Sequence, residues 1–324
     1  MSSGPPVSQT PTAGRILVVR GGAIGDFILT LPVLAALRTN FPGNHLEILG
    51  YPHITSLAVA SGLVDAAKGI DSRPLAGFFA RGGDLDFDLS SYFAGFHVIL
   101  SYLFDPDTIF RTNLTRVSRA QFIQGPHRPD EAASAHAAEQ LLQPLQQLAV
   151  FDADATPRLP HPGSLATGAC CLAVHPGSGS DRKNWPETSW RDLLGVLAHQ
   201  TDLRFLLVGG EAEGGRLERL AAQLPEGRVD VLRSRPLPEL ALRLVACRGF
   251  IGHDSGITHL AAAVGLPGLA LWGPSNLRVW RPYSQRMTVL ESGAQLSTLS
   301  VDRVHSAVLA RFPDCFPSAS VPRP

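Results

Sequence analysis

Short apolar runs alternate with amphipathic stretches along most of the chain, the pattern of strand and helix in turn. In the first half, runs at 15–20 (RILVVR), 45–50 (HLEILG), 97–102 (HVILSY) and 120–124 (AQFIQ) predict strands, with helices near 26–39, 53–60, 105–117 and 131–149. The last helix is the best marked, because Ala138, Leu141, Leu142, Leu145, Leu148 and Ala149 recur at i, i+3, i+4 spacing. Pro32 and Pro144 are expected to kink or shorten their helices, since proline lacks a donor and its ring crowds the preceding turn. Residues 71–95 show no period. Their Gly-rich middle and acidic DLDFDL run predict a solvated excursion, the other reading being a loop that shapes a pocket.

Periodicity stops at 152–168, where three prolines gather, and a linker is expected there. A second set then begins: strands at 170–175, 203–209, 228–232, 249–252 and 268–272, helices at 187–199, 214–224, 237–246 and 255–265, and a closing helix at 301–312. Such alternation predicts an α/β fold of parallel sheets with right-handed crossovers, whose ligands bind beyond the carboxyl ends of the strands. The expected domains are 14–155 and 168–300, with 1–13 and 313–324 disordered. A chain of 324 residues, 44% of them hydrophobic, has enough apolar material for two cores.

Composition narrows the class. Lys+Arg and Asp+Glu are equal at 28 each, so no overall field favours nucleic acid or an anionic membrane. The four cysteines lack a Cys-x-x-Cys spacing and read as core packing in a reducing cytoplasm. Residues 1–14 are polar and rich in Pro and Ser, unlike a secretory signal. No apolar run approaches the ~18 residues of a spanning helix, so any membrane contact is expected to be peripheral.

Chemistry gathers where strands end. After the first strand, Gly21, Gly22 and Gly25 permit a sharp turn that delivers Asp26 onto the start of a helix. A dinucleotide fingerprint would read G-x-G-x-x-G with a ribose-binding acid such as Glu47, yet here Asp26 replaces the last glycine and would repel a pyrophosphate. A helix cap and a catalytic base are both open for Asp26. In HPGSGSDRKNWP, Ser178 and Ser180 sit among glycines ahead of Lys183, which with Lys68 completes the lysines of the chain. Free N–H groups and a mobile ammonium suit a phosphate, although the GxxxxGK[ST] loop is absent and a solvated turn is the other reading. In GHDSGITHLAAAVGLP, Asp254, Ser255 and Gly256 open a helix whose N–H groups could face a diphosphate, and His259 could donate to it or satisfy a buried neighbour. A metal set of His253, Asp254 and His259 is disfavoured, because i and i+6 face different sides of a helix.

Together, GGAIGD, HPGSGSDRKNWPETSW, LVGGE and HDSGITHLAAAVGLPGLALWGPS resemble glycosyltransferase family 9, the ADP-heptose:lipopolysaccharide heptosyltransferases, in order and approximate spacing from Arg15 to about Leu290. The resemblance implies a GT-B architecture, two Rossmann-like domains with parallel sheets facing across a cleft, and an inverting mechanism without a cofactor or an obligatory metal. It implies a catalytic base at Asp26 and donor contacts at Lys183, Glu211, Asp254, Ser255, Gly256 and His259. The implied reaction moves a sugar, a heptose, from an ADP-sugar to a lipopolysaccharide-core or other cell-envelope glycan, in the cytoplasm at the inner face of the membrane. An epimerase or hydrolase acting on a sugar nucleotide, or a non-catalytic sugar-nucleotide binder, would use the same cleft. For a phosphorylated lipid acceptor, Arg73, Arg81, Arg111, Arg116, Arg119, His127 and Arg128 are available, with acids interleaved.

Overall fold

A computed structural model describes residues 14–161 and 170–315. Residues 1–13, residues 316–324 of the end expected to be disordered at 313–324, and the last residues of the expected linker lie outside the described residues; residues 313–315 depart from that expectation, forming a 3₁₀ turn (Pro313–Cys315) with Cys315 buried. Five strands, β1 (Arg15–Arg20), β2 (His45–Gly50), β3 (Ala66–Gly69), β4 (Val98–Ser101) and β5 (Gln121–Gln124), form one parallel sheet in the order β3-β2-β1-β4-β5. Six more, β6 (Cys171–His175), β7 (Arg204–Gly209), β8 (Val229–Arg233), β9 (Gly249–His253), β10 (Gly268–Trp272) and β11 (Met287–Glu291), form a second in the order β11-β10-β9-β6-β7-β8. In each sheet the order reverses beside the first strand, between β1 and β4 and between β6 and β9. Those switch points leave a crevice at the carboxyl ends of the strands. Turns after β1, β6 and β9 open into them.

The helices are α1 (Ile24–Ile28), α2 (Leu31–Asn40), α3 (Pro52–Ala60), α4 (Phe87–Ala94), α5 (Ile109–Thr115), α6 (Ala137–Leu142), α7 (Glu187–Gln200), α8 (Arg216–Ala221), α9 (Leu237–Val245), α10 (Gly256–Ala263), α11 (Leu277–Trp280) and α12 (Val301–Arg311). The helix expected at 26–39 is two helices, with Pro32 near the start of the second, where its missing N–H costs nothing. The helix expected at 131–149 begins only at Ala137, where His136 Nδ1 accepts the Ala138 N–H at 3.1 Å. Beyond Leu142 the chain tightens into a 3₁₀ helix that carries Pro144 near its start. Short edge strands β3 and β11 carried too little pattern to be foreseen.

Residues 71–95 are not a solvated excursion. A 3₁₀ helix (Arg73–Phe79) and α4 put Leu75, Phe78, Leu89 and Phe93 against Leu17, Val19 and Ile99, so this segment covers one face of the first sheet. Asp86, from the acidic run, caps α4 by accepting the Leu89 N–H at 2.9 Å. The opposite face of β1, with Ile16 and Val18, belongs to a core that continues into the second half through Leu240, Phe250 and Leu260. A separate core fills the outer face of the second sheet around Trp185, Trp190 and Val304.

Hydrogen bonds also join the halves. Tyr283 Oη donates to Glu139 Oε1 at 2.6 Å, His136 Nε2 meets the Arg281 carbonyl at 2.8 Å, and Asn276 Nδ2 donates to the Glu131 carbonyl at 2.9 Å. The two crevices are thereby held face to face.

Candidate active site

The turn after β1 needs its second glycine. Gly22 has φ of +97°, a conformation other residues rarely adopt, and a Cβ there would also meet Asp26 Oδ2 at 2.9 Å. Asp26 occupies the third position of α1, where Oδ2 accepts the Ala23 N–H at 3.0 Å. Oδ1 stands 3.8 Å from the buried Arg20 guanidinium, which also donates to the carbonyls of His127 at 2.9 Å and Asp26 at 3.3 Å. About a third of the Asp26 side chain stays exposed (35%). The carboxylate is therefore both a cap and a group open to the cleft.

The loop after β6 is pinned from beneath by His253. Its Nε2 accepts from the Trp185 N–H at 3.0 Å and from Trp190 Nε1–H at 3.2 Å, which leaves Nδ1 to donate to the Gly177 carbonyl at 3.2 Å. The ring is thus used up inside the protein. Ser178 is buried, with Oγ 2.8 Å from both the Ser180 carbonyl and Asn184 Oδ1, so its hydroxyl shapes the loop. Lys183, on a 3₁₀ turn (Asp181–Lys183), reaches across to Asp254 Oδ2 at 2.6 Å. Asp254, expected among the donor contacts, presents its carboxylate to Lys183 and sets the position of that ammonium.

At the end of β9, Ser255 caps α10 by accepting the Thr258 N–H at 3.3 Å, and the first N–H groups of the helix have no intrahelical acceptor. Here the halves touch. A Cβ on Gly256 would meet Ile24 Cβ at 2.7 Å and the Gly25 nitrogen at 2.9 Å, whereas one on Gly25 would lie at an ordinary 3.4 Å from His259. Gly256→Ala is therefore expected to wedge α1 away from α10, lowering stability by about 1–3 kcal/mol and slowing turnover. Gly25→Ala should be close to neutral for stability. Equal melting temperatures for the two variants would contradict this contact.

Two cavities meet at that contact. One, of about 610 Å³, is lined by Asp26, Lys183, Asp254, Ser255, Gly256 and His259, together with Ser180 and Arg128. The other, of about 790 Å³, is walled by Leu232, Leu237, Leu240 and Ile257 and includes Ser178 and Glu213. Ala23, Gly25, Gly179, Ser255 and Gly256 line both. Glu211 lines neither and is exposed. The 3₁₀ turn (Glu211–Glu213) brings its third residue, not its first, back over the strand end: buried Glu213 accepts the Gly210 N–H at 2.5 Å. The acid facing the cavity is Glu213, and the carboxylate two residues after Glu211 was the signal for it. Gly21 and Gly22 face a third cavity in the first half.

Burial holds the His253 imidazole down to about 3 and that of His259 to about 4, the latter against the opposing pull of Asp254. Folded, both rings stay neutral; unfolded, they take up a proton near pH ~6.5. Their contribution to stability is full above about pH 6.5 and is lost as pH falls toward 4 and then 3. Melting temperature should decline from pH 7 to pH 4, and a flat profile through that window would contradict the buried neutral pair.

Comparison with known proteins matches glycosyltransferase family 9 (heptosyltransferase) to residues 132–307, more than half of the chain. Lipopolysaccharide heptosyltransferase 1 of Salmonella typhimurium is 38% identical over 97 residues, spanning 30% of this chain and 30% of that relative. A glycosyl transferase family 9 structure from Veillonella parvula superposes with a TM-score of 0.76 at 19% identity, covering 94% of this chain and 99% of that one. An E. coli heptosyltransferase solved with ADP superposes with a TM-score of 0.69 at 19% identity, covering 92% and 99%. The paired sheets facing across a cleft are the GT-B architecture of these structures.

Proposed function

The chain belongs to glycosyltransferase family 9 and is a glycosyltransferase; on that premise we propose that it moves a heptose, with inversion, from an ADP-sugar to a hydroxyl of a cell-envelope glycan. The observation that carries the reading is the convergence on one cavity of Asp26 from the first half with Lys183, Ser255, Gly256 and His259 from the second. The ADP named with the E. coli heptosyltransferase structure and the lipopolysaccharide in the name of the Salmonella relative support the choice of ADP and of an envelope glycan.

In this reading the nucleoside lies in the apolar cavity with its ribose toward Glu213, and the diphosphate crosses between Gly179 and the start of α10. Lys183 and the free N–H groups of α10 take up the charge that grows on the leaving group. Asp26 removes the proton of the acceptor hydroxyl as its oxygen bonds to the anomeric carbon. The bond from that carbon to the diphosphate breaks on the opposite side, and ADP leaves with the electron pair. Ala23 fixes one oxygen of Asp26, leaving the other for this task. Neutral His259 adds no positive charge beside Lys183, and its ring can donate one hydrogen. No resident cofactor or obligatory metal enters the proposal, and neither does nucleic acid.

Among the described residues no helix is long and apolar enough to cross a membrane. A cytoplasmic location with peripheral contact at the inner membrane belongs to the proposal. ADP should raise the melting temperature more than UDP or GDP does, and ligand at ~100-fold over its Kd adds about 2.7 kcal/mol. Stronger protection by UDP would move the protein to another donor class.

A further inference from the structure

The third cavity, about 440 Å³, opens where β1 to β4 of the first half end, and the chemistry of its walls is unlike that of the donor side. It is lined by Tyr51, Phe79, Phe104, Asp71, His127 and Arg20. His127 lines the cavity of Lys183 as well, so the two spaces are neighbours. Gly22 is in its wall, directly against Asp26. A molecule seated here has only a glycine turn between it and the proposed base.

Three of its aromatic rings are open to solvent, Phe104 being 70% exposed, Phe79 43% and Tyr51 38%, while Tyr102 in the same wall is buried. Phe104 leans on the His127 ring, their centroids 4.6 Å apart, while Phe79 is stacked on Phe110 at 5.0 Å. Their positions are therefore set by packing. Flat apolar faces at the mouth of a cavity suit the C–H face of a sugar ring, and a few polar groups then orient it. Asp71 is exposed and can accept hydrogen bonds from hydroxyls. Arg20 is 3% exposed, and its Nε is buried without a partner.

A phosphate or a string of acidic sugars would need something else, namely exposed forks or ammoniums. The cavity has none. Its charged side chains are Asp71, which repels an anion, and Arg20, whose charge is already set against Asp26. Arg73, Arg81, Arg111, Arg116, Arg119 and Arg128 do not line it: Arg111 lies over the Phe122 ring, Arg116 donates to the Gly83 carbonyl, and Arg128 pairs with Glu131 in the wall of the adjoining donor cavity. We infer that this cavity is the acceptor subsite and that it takes an uncharged sugar ring stacked on Phe104 and its neighbours, rather than a phosphorylated one. The inference rests on the donor reading above, which supplies the role of the adjoining cavity.

Saturation-transfer NMR on the full chain with saturating ADP tests it, using methyl glycosides of glucose and heptose beside the 6-phosphate of the first and the 4-phosphate of the second. The uncharged glycosides should receive saturation, and their phosphates should bind no more tightly. Phe104→Ala should weaken glycoside binding about tenfold, since a ring contact contributes up to ~1.5 kcal/mol. ADP affinity should stay within about twofold of the original, because Phe104 lines neither donor cavity. Tighter, salt-sensitive binding of the phosphates would overturn the inference, as would unchanged glycoside binding in Phe104→Ala. Absence of glycoside binding with normal ADP binding would overturn it while leaving the donor reading intact. Failure of ADP to bind would remove the donor reading, and the inference with it.

Discussion

Asp26→Asn is expected to keep the fold and ADP binding while slowing sugar transfer by roughly 10²–10⁴, the usual contribution of a positioned general base. Asparagine preserves the shape and a carbonyl oxygen for the Ala23 N–H, so the start of α1 should survive. It cannot take a proton from a hydroxyl at neutral pH. The carboxylate has two environments in the fold, a cap on one oxygen and an open cleft on the other, and this substitution separates them. A residue acting only as a cap would show a small change in melting temperature and nearly normal turnover.

Lys183→Ala should slow transfer by about 10², since a strong donor to developing charge contributes on the order of 3 kcal/mol. Weaker ADP binding should accompany it. The structure adds a second cost, because the Asp254 carboxylate, only 10% exposed, loses its partner at 2.6 Å and stands uncompensated beside the diphosphate. Adding Asp254→Asn to Lys183→Ala should therefore recover part of the lost stability and ADP affinity. Lys183→Arg should rescue only in part, a planar fork being a poor replacement for a compact ammonium. If Lys183→Ala left ADP affinity and rate unchanged, the assignment of Lys183 to the leaving group would fall.

Much of this site was legible because it lies in local signals. A strand, a glycine turn and a carboxylate at the head of a helix are contiguous in sequence, and so are the loop after β6 and the start of α10. What escaped was set by contacts between distant segments. The packing of residues 71–95 depends on Phe78 and Phe93 meeting at 4.8 Å over the face of β1, and the glycines between the apolar positions hide any period. Glu213 was passed over for Glu211 because a 3₁₀ turn, which sequence does not announce, decides which acid faces inward. His253 and Asp254 are polar residues in a motif that reads as a ligand site, yet one pins a loop and the other holds a lysine. The same motif supplied Gly256, read there as an N–H donor; its contact with Gly25 is visible only once the halves are brought together.

The most direct test is product analysis with ADP-heptose, with and without a glycan acceptor, following ADP release together with the anomeric configuration of the product by NMR. The account predicts that ADP release depends on the acceptor and that the transferred sugar carries the configuration opposite to the donor. Release of free heptose at the same rate without an acceptor, or retention of the donor configuration in the product, would contradict it.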